Sequence, residues 1–138
     1  MTPANDVRAH DAVESPADRD PYVEKAIEAM KRDPARRWTV AELARKAGLS
    51  RAPFARRFLR ATGTSPLRWL TAHRLDLARR RVVEGERSLA EIAAEVGYAT
   101  EFALSKAFKR MFGMAPIVYR RRIVAIRPTL TTAFRAAA

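Results

Sequence analysis

Two stretches of this chain are copies of each other, and that repetition constrains the fold more than any other feature. VAELARKAGLS (40–50) recurs as LAEIAAEVGYA (89–99), which sets Glu42 against Glu91, Leu43 against Ile92, Ala44 against Ala93 and Gly48 against Gly97. FARRFLRATGTSPLRW (54–69) recurs as LSKAFKRMFGMAPIVY (104–119), pairing Phe54 with Leu104, Phe58 with Phe108, Gly63 with Gly113, Pro66 with Pro116 and Trp69 with Tyr119. The offset grows by one residue in or next to the turn after Gly97. Chance similarity does not keep glycines, prolines and aromatics in step. Each copy reads as a short helix, a tight glycine turn and a longer second helix, which is a helix-turn-helix.

The punctuation around the copies is helical too. Asp20 is placed to cap a first helix with Pro21 at its first position, and Tyr22, Val23, Ala26, Ile27 and Met30 follow at helix spacing up to Pro34. Thr39 caps a second helix with Glu42 at the capping-box position, and Gly48 stops it. Ser50 caps a third, which carries Pro53 in its first turn and ends at Gly63. Pro66 opens a long fourth helix that reaches about Glu84. Ser88, with Glu91, caps a fifth; Thr100 caps a sixth that runs to Gly113; Pro116 opens a seventh that fades near Pro128. No segment alternates like a strand. The expected class is all-α, with about seven helices and two helix-turn-helix motifs joined by a long linking helix. The expected divisions are an acidic, disordered leader over 1–20, a first unit over 21–73, a second over 74–124, and a tail over 125–138 with no readable task.

Composition narrows the chemistry. The 138 residues hold 27 Lys and Arg against 15 Asp and Glu, a formal net charge of +12. Within residues 1–20 acids outnumber bases five to two, so the remainder is more basic still. Of the basic residues 22 are Arg, which suits two-pronged recognition of phosphate and guanine. Cysteine is absent and histidine is limited to His10 and His73, which excludes thiol nucleophiles and metal centres built on cysteine or several histidines. No catalytic set, cofactor site or metal site is visible, and an enzyme is not expected. No apolar run approaches the ~20 residues of a membrane span. The N-terminus has no signal-peptide core, so the cytoplasm is the expected compartment. The first suspect partner is a polyanion.

At ~100° per residue, Phe54, Phe58 and Ala61 share the inner stripe of the third helix, and Leu104, Phe108 and Met111 that of the sixth. Ala52, Arg56 and Arg60 face away in one, Phe102, Lys106 and Arg110 in the other. Both outer faces are basic and both begin at an N-cap whose N–H groups favour phosphate. This suits recognition helices in DNA major grooves, with early residues at base edges and later ones at phosphates. The base-reading candidates are Arg51, Ala52, Ala55 and Arg56 in the first motif, and Glu101, Phe102, Ser105 and Lys106 in the second. Arg56 suits guanine O6 and N7, and Lys106 does so less stringently; Glu101 suits either a cytosine amino group or the helix dipole. Phe102 either touches a thymine methyl or packs against an adjacent helix. Ser50, Arg57, Arg60, Thr100, Lys109 and Arg110 are the phosphate candidates. Gly48, Gly63, Gly97, Gly113, Pro66 and Pro116 are the structural turns. Trp38, Trp69 and Tyr119 follow the apolar period and belong to the core; His73 reads as a packing or polar contact. Arg79, Arg80 and Arg81 read as a solvated face, while Arg120, Arg121 and Arg122 either border DNA or solubilise the seventh helix.

Helix 66–84 spans about 28 Å at ~1.5 Å per residue, against ~34 Å between successive major grooves on one face of B-DNA. A tandem repeat reads different bases with each half and needs no palindrome. An asymmetric site of roughly two helical turns, ~20 base pairs, is expected.

Residues 22–122 resemble the DNA-binding domain of AraC/XylS-type bacterial transcription regulators. The most specific features are Ile92-Ala93, Gly97-Tyr98, Phe108-Lys109-Arg110, Gly113, Pro116 and Tyr119-Arg120. The resemblance implies seven helices, sequence-specific promoter binding and contacts with RNA polymerase. Its base-contacting positions fall on Ala52, Ala55, Arg56, Glu101, Phe102, Ser105 and Lys106. Lys106 stands where Arg is common, Leu104 where Phe is common, and two alanines thin the first reading face, leaving Arg56 to carry that half. Most members also carry a large effector or dimerisation domain, for which the residues before Trp38 leave no room. The chain is then either a stand-alone monomeric regulator, which the Met1 start favours, or the DNA-binding fragment of a longer effector-responsive regulator. The competing class is a non-specific architectural nucleic-acid-binding protein, driven by charge alone and blind to sequence.

Overall fold

The computed structural model describes residues 20–137, with side-chain surroundings through Ile126. Seven helices follow in order: α1 (Pro21–Arg32), α2 (Val40–Ala47), α3 (Arg51–Thr62), α4 (Pro66–Glu84), α5 (Leu89–Val96), α6 (Glu101–Phe112) and α7 (Pro116–Ala137). No strand occurs among the described residues, so the class is all-α. The leader over 1–19 lies outside the described residues. The seventh helix does not fade near Pro128; its backbone stays helical to Ala137. A proline removes one backbone hydrogen bond and crowds one carbonyl, but its φ is compatible with a helix on both sides.

The caps explain where the helices begin. Asp20 Oδ1 accepts the N–H of Tyr22 at 2.9 Å. Thr39, Ser88 and Thr100 each accept the N–H three residues on, from Glu42, Glu91 and Ala103, at 3.0–3.1 Å. Ser50 departs from this pattern. It holds the extended N-cap backbone, yet its hydroxyl makes no cap hydrogen bond. The cause is local: the residue three on is Pro53, which has no N–H to give. The expected side-chain cap on α3 is therefore absent.

Packing divides the chain into two compact units at the Arg74–Leu75 bond. In the first, Val23, Ala26, Ile27 and Met30 of α1 meet Leu43, Ala44 and Ala47 of α2, Phe54 and Phe58 of α3, and Trp69 and Leu70 of α4. In the second, Leu75, Ala78 and Val82 of α4 meet Ile92, Ala93 and Val96 of α5, and Leu104 and Phe108 of α6; Tyr119 of α7 packs against them. The two sets that α4 contributes fall on different faces of that helix at ~100° per residue. No single apolar stripe runs its length.

Each helix-turn-helix turn is closed by a glycine in the left-handed region. Gly48 has φ 82° and Gly97 φ 96°. The following N–H groups, of Leu49 and Tyr98, reach back to the carbonyls of Ala44 and Ala93 at 2.9 and 2.8 Å. Those bonds satisfy carbonyls left over at the helix ends. The extra residue of the second copy falls in this turn, which spans 97–100 against 48–50 in the first.

An arginine secures the loop ahead of each motif. Arg74 of α4 donates to the carbonyls of Pro34 and Arg36, both at 2.7 Å. Arg120 of α7 donates to those of Val82 and Arg87, at 3.1 and 3.4 Å. A guanidinium suits two diverging carbonyls because its donors form a planar fork.

Candidate nucleic-acid interface

The outer faces of α3 and α6 are built on the same plan. Over 51–60 and 101–110, buried, half-buried and exposed residues fall in the same order, position by position. Phe54 and Phe58 are fully buried in α3, and Leu104 and Phe108 in α6. With those anchors fixed, helical spacing turns Arg51, Ala52, Arg56 and Arg60 outward on α3, and Glu101, Phe102, Lys106, Lys109 and Arg110 outward on α6. Ala55 and Ser105 are half-buried flanks. Ser50 and Thr100 sit exposed at the helix starts.

Arg51, Arg56 and Arg60 form no ion pair with any carboxylate among the described residues, and neither do Lys106, Lys109 and Arg110. Among the described residues, no carboxylate competes with a polyanion for these six cations, and Lys106 makes only a cation–π contact with Phe102. Arg57 is different. Its guanidinium lies 3.1 and 3.4 Å from the two carboxylate oxygens of Asp20 and 4.7 Å over the ring of Tyr22. The residue that caps α1 thus holds an arginine of α3, a contact across 37 positions that the sequence did not signal. The pair is partly exposed, 39% and 20% at the two side chains, so it contributes at most about 1 kcal/mol. Within this contact it is Arg57 Nη1 that is committed to Asp20.

Among the described residues, Phe102 is the most exposed large apolar side chain, at 71%. It does not pack against an adjacent helix. Lys106, one turn later, sets its ammonium 5.5 Å from the ring centroid. Leu59, 56% exposed between Arg56 and Arg60, is an outward residue the sequence reading missed; its counterpart on α6 is Lys109.

Other basic residues are committed within the units. Arg79 and Arg80 both pair with Asp76, at 2.8 and 3.3 Å, and Arg81 pairs with Glu95 and Glu84 at 2.8 and 3.1 Å. The hydrogen bond that the Arg79 guanidinium donates to Asp76 raises its pKa, with a further contribution from Tyr119. The run 79–81 is therefore a set of ion pairs rather than a merely solvated face. Arg120 does more than solubilise α7, since it donates to the backbone carbonyls of Val82 and Arg87. Trp38 and Trp69 are buried, and Trp38 Nε1 donates to the carbonyl of Asp33 at 2.9 Å. His73 stacks on Trp69 with centroids 5.2 Å apart. Gly63 and Gly113 close α3 and α6 with φ near 80°, and the buried Pro66 and Pro116 open the helices that follow. No described helix is long and apolar enough to cross a membrane.

Comparison with known proteins agrees with this geometry. A family model described as a helix-turn-helix domain matches residues 43–122. A putative AraC-like transcription regulator of Streptomyces lividans is 51% identical over 102 residues, 74% of this chain and 34% of the relative. The RCS-specific HTH-type transcriptional activator RclR of Escherichia coli (strain K12) is 40% identical over 108 residues, 78% of this chain and 38% of the relative. The chain thus spans about a third of the length of these curated relatives. Among solved structures, the DNA-binding domain of AdpA, a global transcriptional factor in complex with a target DNA, superposes with a TM-score of 0.72. It is 34% identical, and the match covers 80% of this chain and 98% of that one. With two helix-turn-helix units, a matching family model and relatives of this similarity, the chain belongs to the AraC-type family of transcription regulators.

Proposed function

We propose that this chain is a sequence-specific, double-stranded DNA-binding transcription regulator that inserts α3 and α6 into successive major grooves of an asymmetric site of about 20 base pairs. The observation that carries this is the shared exposure pattern of α3 and α6, with exposed cations on both outer faces that form no ion pair among the described residues. A relative solved on its target DNA supports the same reading. Arg51, Ala52, Ala55 and Arg56 read one half of the site, and Glu101, Phe102, Ser105 and Lys106 the other. Ser50, Arg60, Thr100, Lys109 and Arg110 hold phosphates. Arg57 serves the contact between α1 and α3 instead. The regulator works in the cytoplasm as a monomer without catalysis or cofactor, and touches RNA polymerase at the promoter.

The test is selection of binding sequences from a randomised duplex pool of about 30 base pairs, near ~150 mM salt with excess competitor DNA. One asymmetric motif of about two helical turns is expected. Binding at low salt with no recovered motif would overturn sequence reading in favour of charge-driven, architectural binding. A palindromic motif would overturn the monomer.

A further inference from the structure

An aromatic ring left 71% exposed in the first turn of α6 contributes almost nothing to the core. The α3 residue at the same place is Ala52, so the shared fold does not require a large side chain there. The ring is nevertheless oriented. The Lys106 ammonium sits 5.5 Å from its centroid, within the range of a cation–π contact, and the lysine stem lies one turn along the same outward face. Lys106, Lys109 and Arg110 are all exposed on α6 and outnumber the one exposed acid of that helix, Glu101. A duplex seated against such a face offers one apolar group in its major groove, the thymine 5-methyl. We infer that Phe102 reads a thymine methyl in the half-site facing α6, with Lys106 fixing the ring and meeting the neighbouring base or phosphate. This rests on the proposed DNA-reading role of α6 and adds the base that its aromatic residue selects.

The experiment uses the intact chain and the duplex recovered by selection. Each thymine in the α6 half is replaced in turn by deoxyuridine, which removes the methyl and leaves base pairing unchanged. At one position the native chain should bind about fourfold more weakly, the effect of losing one buried methyl-sized group. Phe102→Ala should bind thymine and deoxyuridine duplexes alike at that position, while Phe102→Leu keeps part of the discrimination. A melting temperature close to that of the native chain shows that these variants fold, as expected for an exposed residue. Equal affinity of the native chain for all deoxyuridine duplexes, or a selected half-site without thymine, overturns the inference. Either result leaves sequence reading intact as long as the selected duplex still outcompetes a scrambled one. Loss of that preference would instead sink the proposed function.

Discussion

The two units share one plan and solve it with different residues. The first sets Phe54 tilted against Phe58 and Phe58 edge-on to Trp69, with centroids 5.7 and 6.5 Å apart. The second has Leu104 in place of Phe54 but gains Phe112, which lies 4.6 Å from Phe108, and Tyr119 lies 5.6 Å from that same ring. Aromatic volume lost at the start of the recognition helix is recovered at its end. Thr62 holds the place of Phe112 in the first unit. Its hydroxyl, 2.8 Å from the carbonyl of Phe58, also accepts the N–H of Thr64 at 3.3 Å. The lesson is that the repeat preserves backbone turns and an aromatic cluster in each core, while the identity of the packing residue drifts.

The outward faces differ more sharply. The first sets exposed arginines beside two alanines, and its helix start lacks a side-chain cap. The second spreads acid, aromatic, hydroxyl and ammonium groups along a capped helix. Position 57 is an arginine bound to Asp20, and its counterpart Ala107 packs against the second core.

The largest test of the comparison concerns the separate cores. Phe108→Ala should cost about 3–5 kcal/mol. Hydrogen exchange should then quicken across the second unit while α1, α2 and α3 keep their protection. Equal loss in both units would mean that they unfold as one cooperative body. Next comes the reading face. Arg56→Ala should weaken binding to the best site by about 1–3 kcal/mol and relax specificity across the first half-site. If the loss were the same on every duplex, Arg56 would be a phosphate contact, and the contrast between the two faces would fail.

The caps give a smaller but cleaner contrast. Thr100→Ala should lower stability by about 1 kcal/mol, and Ser50→Ala by a few tenths at most, because only Thr100 makes the cap bond. Equal losses by denaturant titration would contradict that distinction. The smallest effect separates two cations. Arg57→Ala should cost at most about 1 kcal/mol of stability and leave the salt dependence of binding unchanged. Lys109→Ala should leave stability alone and flatten the salt slope by about one unit. A flatter slope for Arg57→Ala would return that residue to the phosphate contacts.

Much of this was legible in the sequence because its signals are local. Glycine needs no neighbour to adopt φ > 0, and a threonine or aspartate caps the helix beside it, so the helix starts and stops follow from residues a few positions apart. Ser50 was misread, although the reason was also local: Pro53 removes the N–H that the cap needs. The outward faces of α3 and α6 were legible because a helix wheel requires only one buried stripe. Phe102 could not be assigned, since a wheel shows that a residue faces out and not whether another element covers it. The end of α7 was misplaced because Pro128 disfavours a helix without forbidding one.

What the sequence determined by itself is the repeat, the helices, their glycine turns and two basic outer faces, all set by interactions within a few residues. Only the tertiary structure decided which long-range partners each charge found. Asp20 meets Arg57 across 37 positions, Arg74 reaches back to Pro34 and Arg36, and Arg120 to Val82 and Arg87. It also decided that α4 divides its apolar residues between two cores. A guanidinium can satisfy any carboxylate or carbonyl brought within ~3 Å, so its partner is fixed by how the helices pack and not by its own position in the chain.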